Sequence, residues 1–203
     1  HLAHTTWFFE RMILAQLDGY QPFDANYEQL FNSYYMAVGK PFTRAARGLL
    51  SRPSVTDIQA YRRHVDEAMQ RACEQSRFAD LVVLGLNHEQ QHQELLLTDI
   101  KHAFFANPLM PAYACGAPFS LGSAPDLEWI ENRGGSVGIG YDGSEFAFDN
   151  EMARHAVVVQ PFRMASRLVT CGEYLAFMED GGYERPEFWL SDGWALSRSE
   201  QWT

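Results

Sequence analysis

Apolar positions recur at helical spacing through the first hundred or so residues and then lose that period. Leu2, Phe9, Met12, Ile13 and Leu17 mark a first helix over residues 1–18, which Asp18-Gly19 ends with Pro22 just beyond. A short helix over 27–37 precedes Gly39-Lys40-Pro41. Ser54 reads as an N-cap with Asp57 in the first turn, and Val55, Ile58, Val65, Met69 and Ala72 carry a helix to about Gln75. Residues 79–105 contain no proline and a single glycine, Gly85. There Leu84, His88, Gln91, His92, Leu95 and Asp99 form one stripe, and Leu86, Leu97, Ile100 and Phe104 form an adjacent apolar stripe expected to face the core. Asn107-Pro108 and Pro111 close this helix.

Past Pro111 the texture changes. Residues 112–145 are rich in glycine and poor in helical stripes, as expected of a linker and short strands. Val137-Gly138-Ile139-Gly140 and Ala156-Val157-Val158-Val159 are strand candidates. Residues 171–179 return to helix, with Thr170 as N-cap and Glu173 completing a capping box. The pattern predicts an α+β chain with a helical domain over 1–111 and a second domain over 112–203.

Composition narrows the class. The chain has 203 residues, 26 acidic against 16 basic, for a formal net charge of -10. That balance disfavours nucleic acid and anionic membranes as partners. No apolar run is long enough to span a bilayer, and no signal peptide is visible. Cys73, Cys115 and Cys171 are widely spaced and odd in number, which suits a reducing compartment, and the expected location is cytoplasmic. The chain opens without an initiator Met, within a predicted helix, and stops at Trp202-Thr203 without a closing element, so a fragment is expected.

The chemistry concentrates in Asn87-His88-Glu89-Gln90-Gln91-His92-Gln93-Glu94. Two histidines four apart on a helix share a face, one turn apart, where both imidazoles can reach one metal ion. His4, one turn before Trp7 and Phe8 in an amphipathic segment, is the candidate third ligand. Three-histidine sites with open positions suit zinc hydrolysis or non-haem iron, and local spacing leaves both open. His88-Glu89-Gln90-Gln91-His92 matches the zinc-protease pattern, but the third histidine lies far upstream and no Gly-x-x-His follows at metzincin spacing. Glu89 is therefore read as a solvated helix carboxylate. Glu94 is read as an acceptor that orients another ligand histidine.

His1-Leu2-Ala3-His4-Thr5-Thr6-Trp7-Phe8-Phe9-Glu10, Leu30-Phe31-Asn32-Ser33-Tyr34-Tyr35, Arg47-Gly48-Leu49-Leu50-Ser51-Arg52-Pro53 and His88-Glu89-Gln90-Gln91-His92-Gln93-Glu94 resemble motifs of the ergothioneine sulfoxide synthases. Phe146-Ala147-Phe148-Asp149-Asn150-Glu151, Gly172-Glu173-Tyr174-Leu175-Ala176-Phe177, Gly181-Gly182-Tyr183 and Trp189-Leu190-Ser191-Asp192-Gly193-Trp194 extend the resemblance over nearly the whole chain. It implies an N-terminal DinB-like helical bundle. The start of a C-type-lectin-like domain, of the formylglycine-generating (sulfatase-modifying-factor) kind, would follow. It also implies Fe(II) on His4, His88 and His92, and oxidative carbon–sulfur bond formation between hercynine and cysteine or γ-glutamylcysteine.

By the same resemblance Gln91 contacts the hercynine imidazole and Arg44 and Arg47 clamp the thiol substrate. Tyr34 or Tyr35 supplies a proton in the active site. His64, His102 and His155 have no partner at ligand spacing and are read as ordinary. Three other readings stay open: a related selenoneine synthase with a selenium donor, a non-redox DinB-like thiol transferase or hydrolase on zinc or nickel, and a binding module with structural histidines.

Overall fold

The computed structural model describes residues 1–203 except Tyr34, Cys115 and residues 117–121, and except the side chains of Val38 and Arg44. The described chain divides into two compact units. One comprises His1–Gly116 with Gly143–Glu151, and the other is drawn from residues 117–142 and 152–203.

The first unit is built around a short helix buried on all sides. Helix α1 (Leu2–Met12) is buried continuously from His4 to Glu10, so its polar His4, Thr5, Thr6 and Glu10 are buried together with Trp7, Phe8 and Phe9. A 3₁₀ turn (Leu14–Gln16) and a four-residue helix, α2 (Tyr27–Leu30), follow. The short helix expected over 27–37 breaks after one turn. The buried Asn32 side chain accepts from the Tyr35 N–H and donates to the Tyr35 and Gly39 carbonyls, giving the backbone an alternative to helix.

Helix α3 (Val55–Ala72) begins with the expected capping box, in which Ser54 and Asp57 satisfy each other's backbone N–H. Helix α4 (Ala79–Ala106) has 28 residues, the longest element. Trp7, Phe8, Phe9, Ile13, Leu14, Tyr27, Tyr61, Val65, Ala68, Met69, Ala72 and Phe78 make the core.

A buried carboxylate holds this core in register. Glu10 accepts from Tyr20 Oη at 2.7 Å, Tyr61 Oη at 2.5 Å and the Phe23 N–H at 3.1 Å. Burial and the adjacent carboxylate push both phenols well up, which keeps them protonated as donors.

The apolar stripe expected to face the core from α4 is largely open: Leu86 is 53% and Leu97 51% exposed, and Ile100 and Phe104 are half-buried. Beyond His92, reach explains the difference. At about 1.5 Å per residue α4 runs about 42 Å, whereas 11-residue α1 covers about 16 Å of it. Packing therefore ends near His92.

In the second unit, β1 (Trp129–Asn132) pairs antiparallel with β4 (Phe162–Ala165), and β2 (Gly135–Ile139) with β3 (His155–Val159). Asn132 faces Phe162 and Gly135 faces Val159, so pairing lapses for two residues on each side and resumes without slip. The interruption has local causes. Pro161 has no N–H to donate, and Gly134 lies at φ +70°, where a Cβ would sit 2.4 Å from the Val159 oxygen. Both strands expected from sequence fall in the β2–β3 pair.

Helices α5 (Cys171–Glu179) and α6 (Ser191–Ser199) follow. The expected Thr170–Glu173 capping box is present, and Arg167 forks onto Glu173 with two 2.9 Å hydrogen bonds. The Arg167 guanidinium, together with hydrogen bonds from the Thr170 N–H and hydroxyl to the carboxylate, holds the Glu173 carboxyl down to about 2. Cys73 and Cys171 are free thiols, and Cys115 lies outside the described residues. Among the described residues no helix is long and apolar enough to cross a membrane.

Candidate metal centre

One glycine sets the distance between the two helices that carry the histidines. Gly85 on α4 lies under the Phe9 and Phe8 rings of α1, so close that a Cβ would stand 2.5 Å from Phe9 Cε1. Less than one turn further along α4 comes His88, and one turn after that His92. His4 comes from the middle of α1.

The three imidazoles converge. Ring centroids are 5.1 Å apart for His4–His88, 4.9 Å for His4–His92 and 4.6 Å for His88–His92. One nitrogen from each lies within 4.8 Å of the others. Nitrogens bound at about 2.1 Å to a common ion can be no more than about 4.2 Å apart, so small side-chain rotations close the set.

The surroundings prepare the rings as ligands. His4 Nδ1–H donates to the Phe31 carbonyl at 2.7 Å, which leaves the Nε2 lone pair for the cluster. Trp7 stacks on the same ring at 5.5 Å and 14°, and Tyr35 at 6.3 Å and 26°. His88 is only 4% exposed, and neither ring nitrogen has a hydrogen-bond partner among the described residues. Buried polar atoms are seldom left so, and a metal ion would satisfy one of them.

Burial, reinforced by the neighbouring imidazoles, pushes His88 and His92 down to about 4, and burial lowers His4. All three are neutral at pH 7, the form in which imidazole binds metal. The residues fit a metal ion.

Comparison with known proteins gives partial matches of one kind. No family model matches the chain. Over 119 residues, 58% of the chain, it is 31% identical to a hercynine oxygenase of Mycolicibacterium thermoresistibile. It is 32% identical to hercynine oxygenases of Mycolicibacterium smegmatis over 55% of the chain and of Mycobacterium tuberculosis over 54%. Over more than half of its length the chain is thus similar to hercynine oxygenases. It spans about a quarter of the length of these relatives, 26%, 26% and 25% respectively.

The other residues singled out in the sequence fall at differing places around the cluster. Tyr35 is half-buried, its ring 5.6 Å from Trp7 and stacked on His4. Tyr34 lies outside the described residues, as does the Arg44 side chain. Arg47, from the 3₁₀ segment Arg44–Leu49, donates to the Ser33 carbonyl at 2.7 Å, and Ser33 Oγ is 3.3 Å from His4 Nδ1. Its positive charge lies near enough to add to the lowering of His4.

Gln91 is exposed, one residue round the helix from His92. Glu89 is not solvated as expected. It takes two hydrogen bonds from Arg62 on α3, at 2.7 and 3.4 Å, and so ties α3 to α4. Glu94 is exposed, and its carboxylate makes no hydrogen bond among the described residues, so it orients none of the three rings.

Two residues that sequence reasoning missed stand in line beside the cluster instead, His1 against His92 and Asp99 against His1. His1 Nδ1 is 2.9 Å from His92 Nδ1, and His1 Nε2 is 2.7 Å from Asp99 Oδ2. The signal was spacing: His1 precedes His4 by three residues, and Asp99 follows His92 by seven on the same stripe. His64 reaches the Gln21 carbonyl at 3.2 Å and His155 the Ala153 carbonyl at 3.0 Å, ordinary environments for both.

Proposed function

We propose that this chain carries the metal centre of an iron- and O2-dependent enzyme that joins sulfur to the imidazole carbon of hercynine. The thiol is cysteine or γ-glutamylcysteine, and the product is a sulfoxide. The observation that carries this reading is the convergence of the His4, His88 and His92 imidazoles, with the buried His88 nitrogens lacking a hydrogen-bond partner among the described residues. The names of the relatives supply the substrate and the use of oxygen.

The stoichiometry balances with one O2. A ring C–H and a thiol S–H give up two electrons in forming the C–S bond, and oxidation of the sulfur gives up two more. One oxygen atom enters the sulfoxide and the other leaves as water with the two hydrogens. Iron, when bound, supplies a redox-active centre with open positions, which zinc does not.

The chain's own residues do the rest. His4, His88 and His92 hold the ion. Trp7 and the Phe31 carbonyl fix the orientation of His4. Tyr35, stacked on His4, is the proposed proton donor through its Oη, with Tyr34 the alternative donor. Arg44 and Arg47 clamp the substrate carboxylate, Arg47 beside His4 through Ser33. Gln91 contacts the hercynine imidazole.

The test is O2 uptake by the iron-loaded protein, prepared anaerobically, with hercynine and either thiol. Uptake matched by a sulfoxide product supports the reading and names the thiol. Bound iron with uptake only when a selenium donor replaces the thiol moves it to selenoneine synthesis. Hydrolysis or thiol transfer with zinc, and no uptake with iron, overturns it.

A further inference from the structure

The pair His1–Asp99 is hydrogen-bonded to the metal cluster at His92 Nδ1. At 2.9 Å from His1 Nδ1, that atom is in a hydrogen bond whose direction is ambiguous between two imidazoles. For a neutral His1, the far end of the chain of contacts resolves the ambiguity. An ionised carboxylate only accepts, so at 2.7 Å from Asp99 Oδ2 the His1 Nε2 must carry the hydrogen. A neutral His1 then has its lone pair on Nδ1 and accepts there. His92 Nδ1 must therefore be the donor, which puts the His92 lone pair on Nε2. The opposite polarity would place a hydrogen on His92 Nε2 and block it as a ligand.

We propose that His1 and Asp99 are positioning residues that fix His92 in its Nδ1–H tautomer and aim its Nε2 at the metal ion. The inference rests on the metal-centre reading above. His4 has the equivalent support from a backbone carbonyl, whereas His88 has none among the described residues. Supports of this kind change metal affinity by about 10- to 100-fold. Water can replace part of what Asp99 does, because its side chain is 69% exposed, so its effect belongs at the low end of that range. His1, in direct contact with His92, belongs higher.

Three variants and two readouts test this. Asp99→Ala removes the acceptor from an exposed helical position where alanine is well tolerated. His1→Ala removes the relay. His1→Gln restores it, because the amide oxygen can accept from His92 while the amide nitrogen donates to Asp99. The first readout is the 15N spectrum of the metal-free protein, which reports the His92 tautomer and needs no metal. The second is Co(II) affinity by competition with a chelator.

The expected results are Nδ1–H on His92 in the unsubstituted protein, and a mixture of tautomers in Asp99→Ala and His1→Ala. Co(II) affinity should fall about 10-fold for Asp99→Ala and about 10- to 100-fold for His1→Ala, with His1→Gln within about threefold of the unsubstituted protein. Nε2–H on His92 in the unsubstituted protein overturns the proposal. So does unchanged affinity in both alanine variants. Absence of Co(II) and Fe(II) binding by the unsubstituted protein is a separate outcome that overturns the metal centre itself, and the positioning role with it.

Discussion

Replacing Gly85 with alanine should destabilise this protein, although helix propensity alone predicts the reverse. In the interior of a helix Ala is favoured over Gly by about 1 kcal/mol. Against that, the new Cβ would lie 2.5 and 2.7 Å from Phe9 Cε1 and Cζ and 3.1 Å from Phe8 Cε1. Carbon atoms in contact prefer about 3.5–4.0 Å, so the Phe9 ring must retreat by about 1 Å. Phe8 and Phe9 are both buried in the core.

Overpacking of this kind costs about 1–3 kcal/mol, which leaves a net loss of about 1 kcal/mol for Gly85→Ala. The loss should appear as a lower urea midpoint of the metal-free protein at unchanged slope. A second effect should be larger. Strain at Gly85 is relieved by moving α1 away from α4, and His4 travels with α1 while His88 and His92 stay with α4. Metal affinity should therefore fall by more than the stability change alone accounts for. A variant more stable by about 1 kcal/mol, with unchanged metal affinity, would refute the claim that this contact sets the helix separation.

Three further outcomes follow from the same geometry. His88 and His92 sit at about 4 when folded, against about 6.5 in an unfolded chain, so between those values the unfolded state binds more protons. Metal-free stability should be complete above pH 6.5 and fall as pH drops toward 4, by up to about 3 kcal/mol for His88. Urea midpoints of His88→Leu, flatter across that window, isolate the effect, and equal slopes for both proteins would contradict it. Tyr61→Phe strips one hydrogen bond from the buried Glu10 carboxylate and should destabilise the fold by about 1–3 kcal/mol, read by denaturation, with no direct effect on the metal ligands. Glu89→Gln weakens a half-buried pair with Arg62 and should lower stability by no more than about 1 kcal/mol while leaving metal affinity intact. Abolition of activity at full metal loading would instead make Glu89 a general base.

What could be read from the sequence was local. Ser54 with Asp57 and Thr170 with Glu173 specify their helix starts within four residues, and both capping boxes are present. The i, i+4 spacing of His88 and His92 sufficed to put them on one face, and the apolar residues after His4 sufficed to bury it. What the sequence concealed depends on how far one element reaches along another. The apolar stripe of α4 continues past His92 with the same period, yet α1 is too short to cover it. Asn32 ends a helix through its side chain, which no apolar periodicity records. Glu10, the last residue of the first motif, is a buried hub because Tyr20 and Tyr61 arrive from distant segments. His1 and Asp99 are 98 residues apart, and their hydrogen bond exists only because the two helices pack.

The central claim is that His4, His88 and His92 together bind one iron. X-ray absorption of the protein loaded anaerobically with one equivalent of Fe(II) tests it most directly, because imidazole rings give a distinctive multiple-scattering pattern. The account predicts scattering from three imidazoles, falling to two in each of His4→Ala, His88→Ala and His92→Ala. A light-atom shell without imidazole scattering, or a pattern unchanged by all three substitutions, would contradict it.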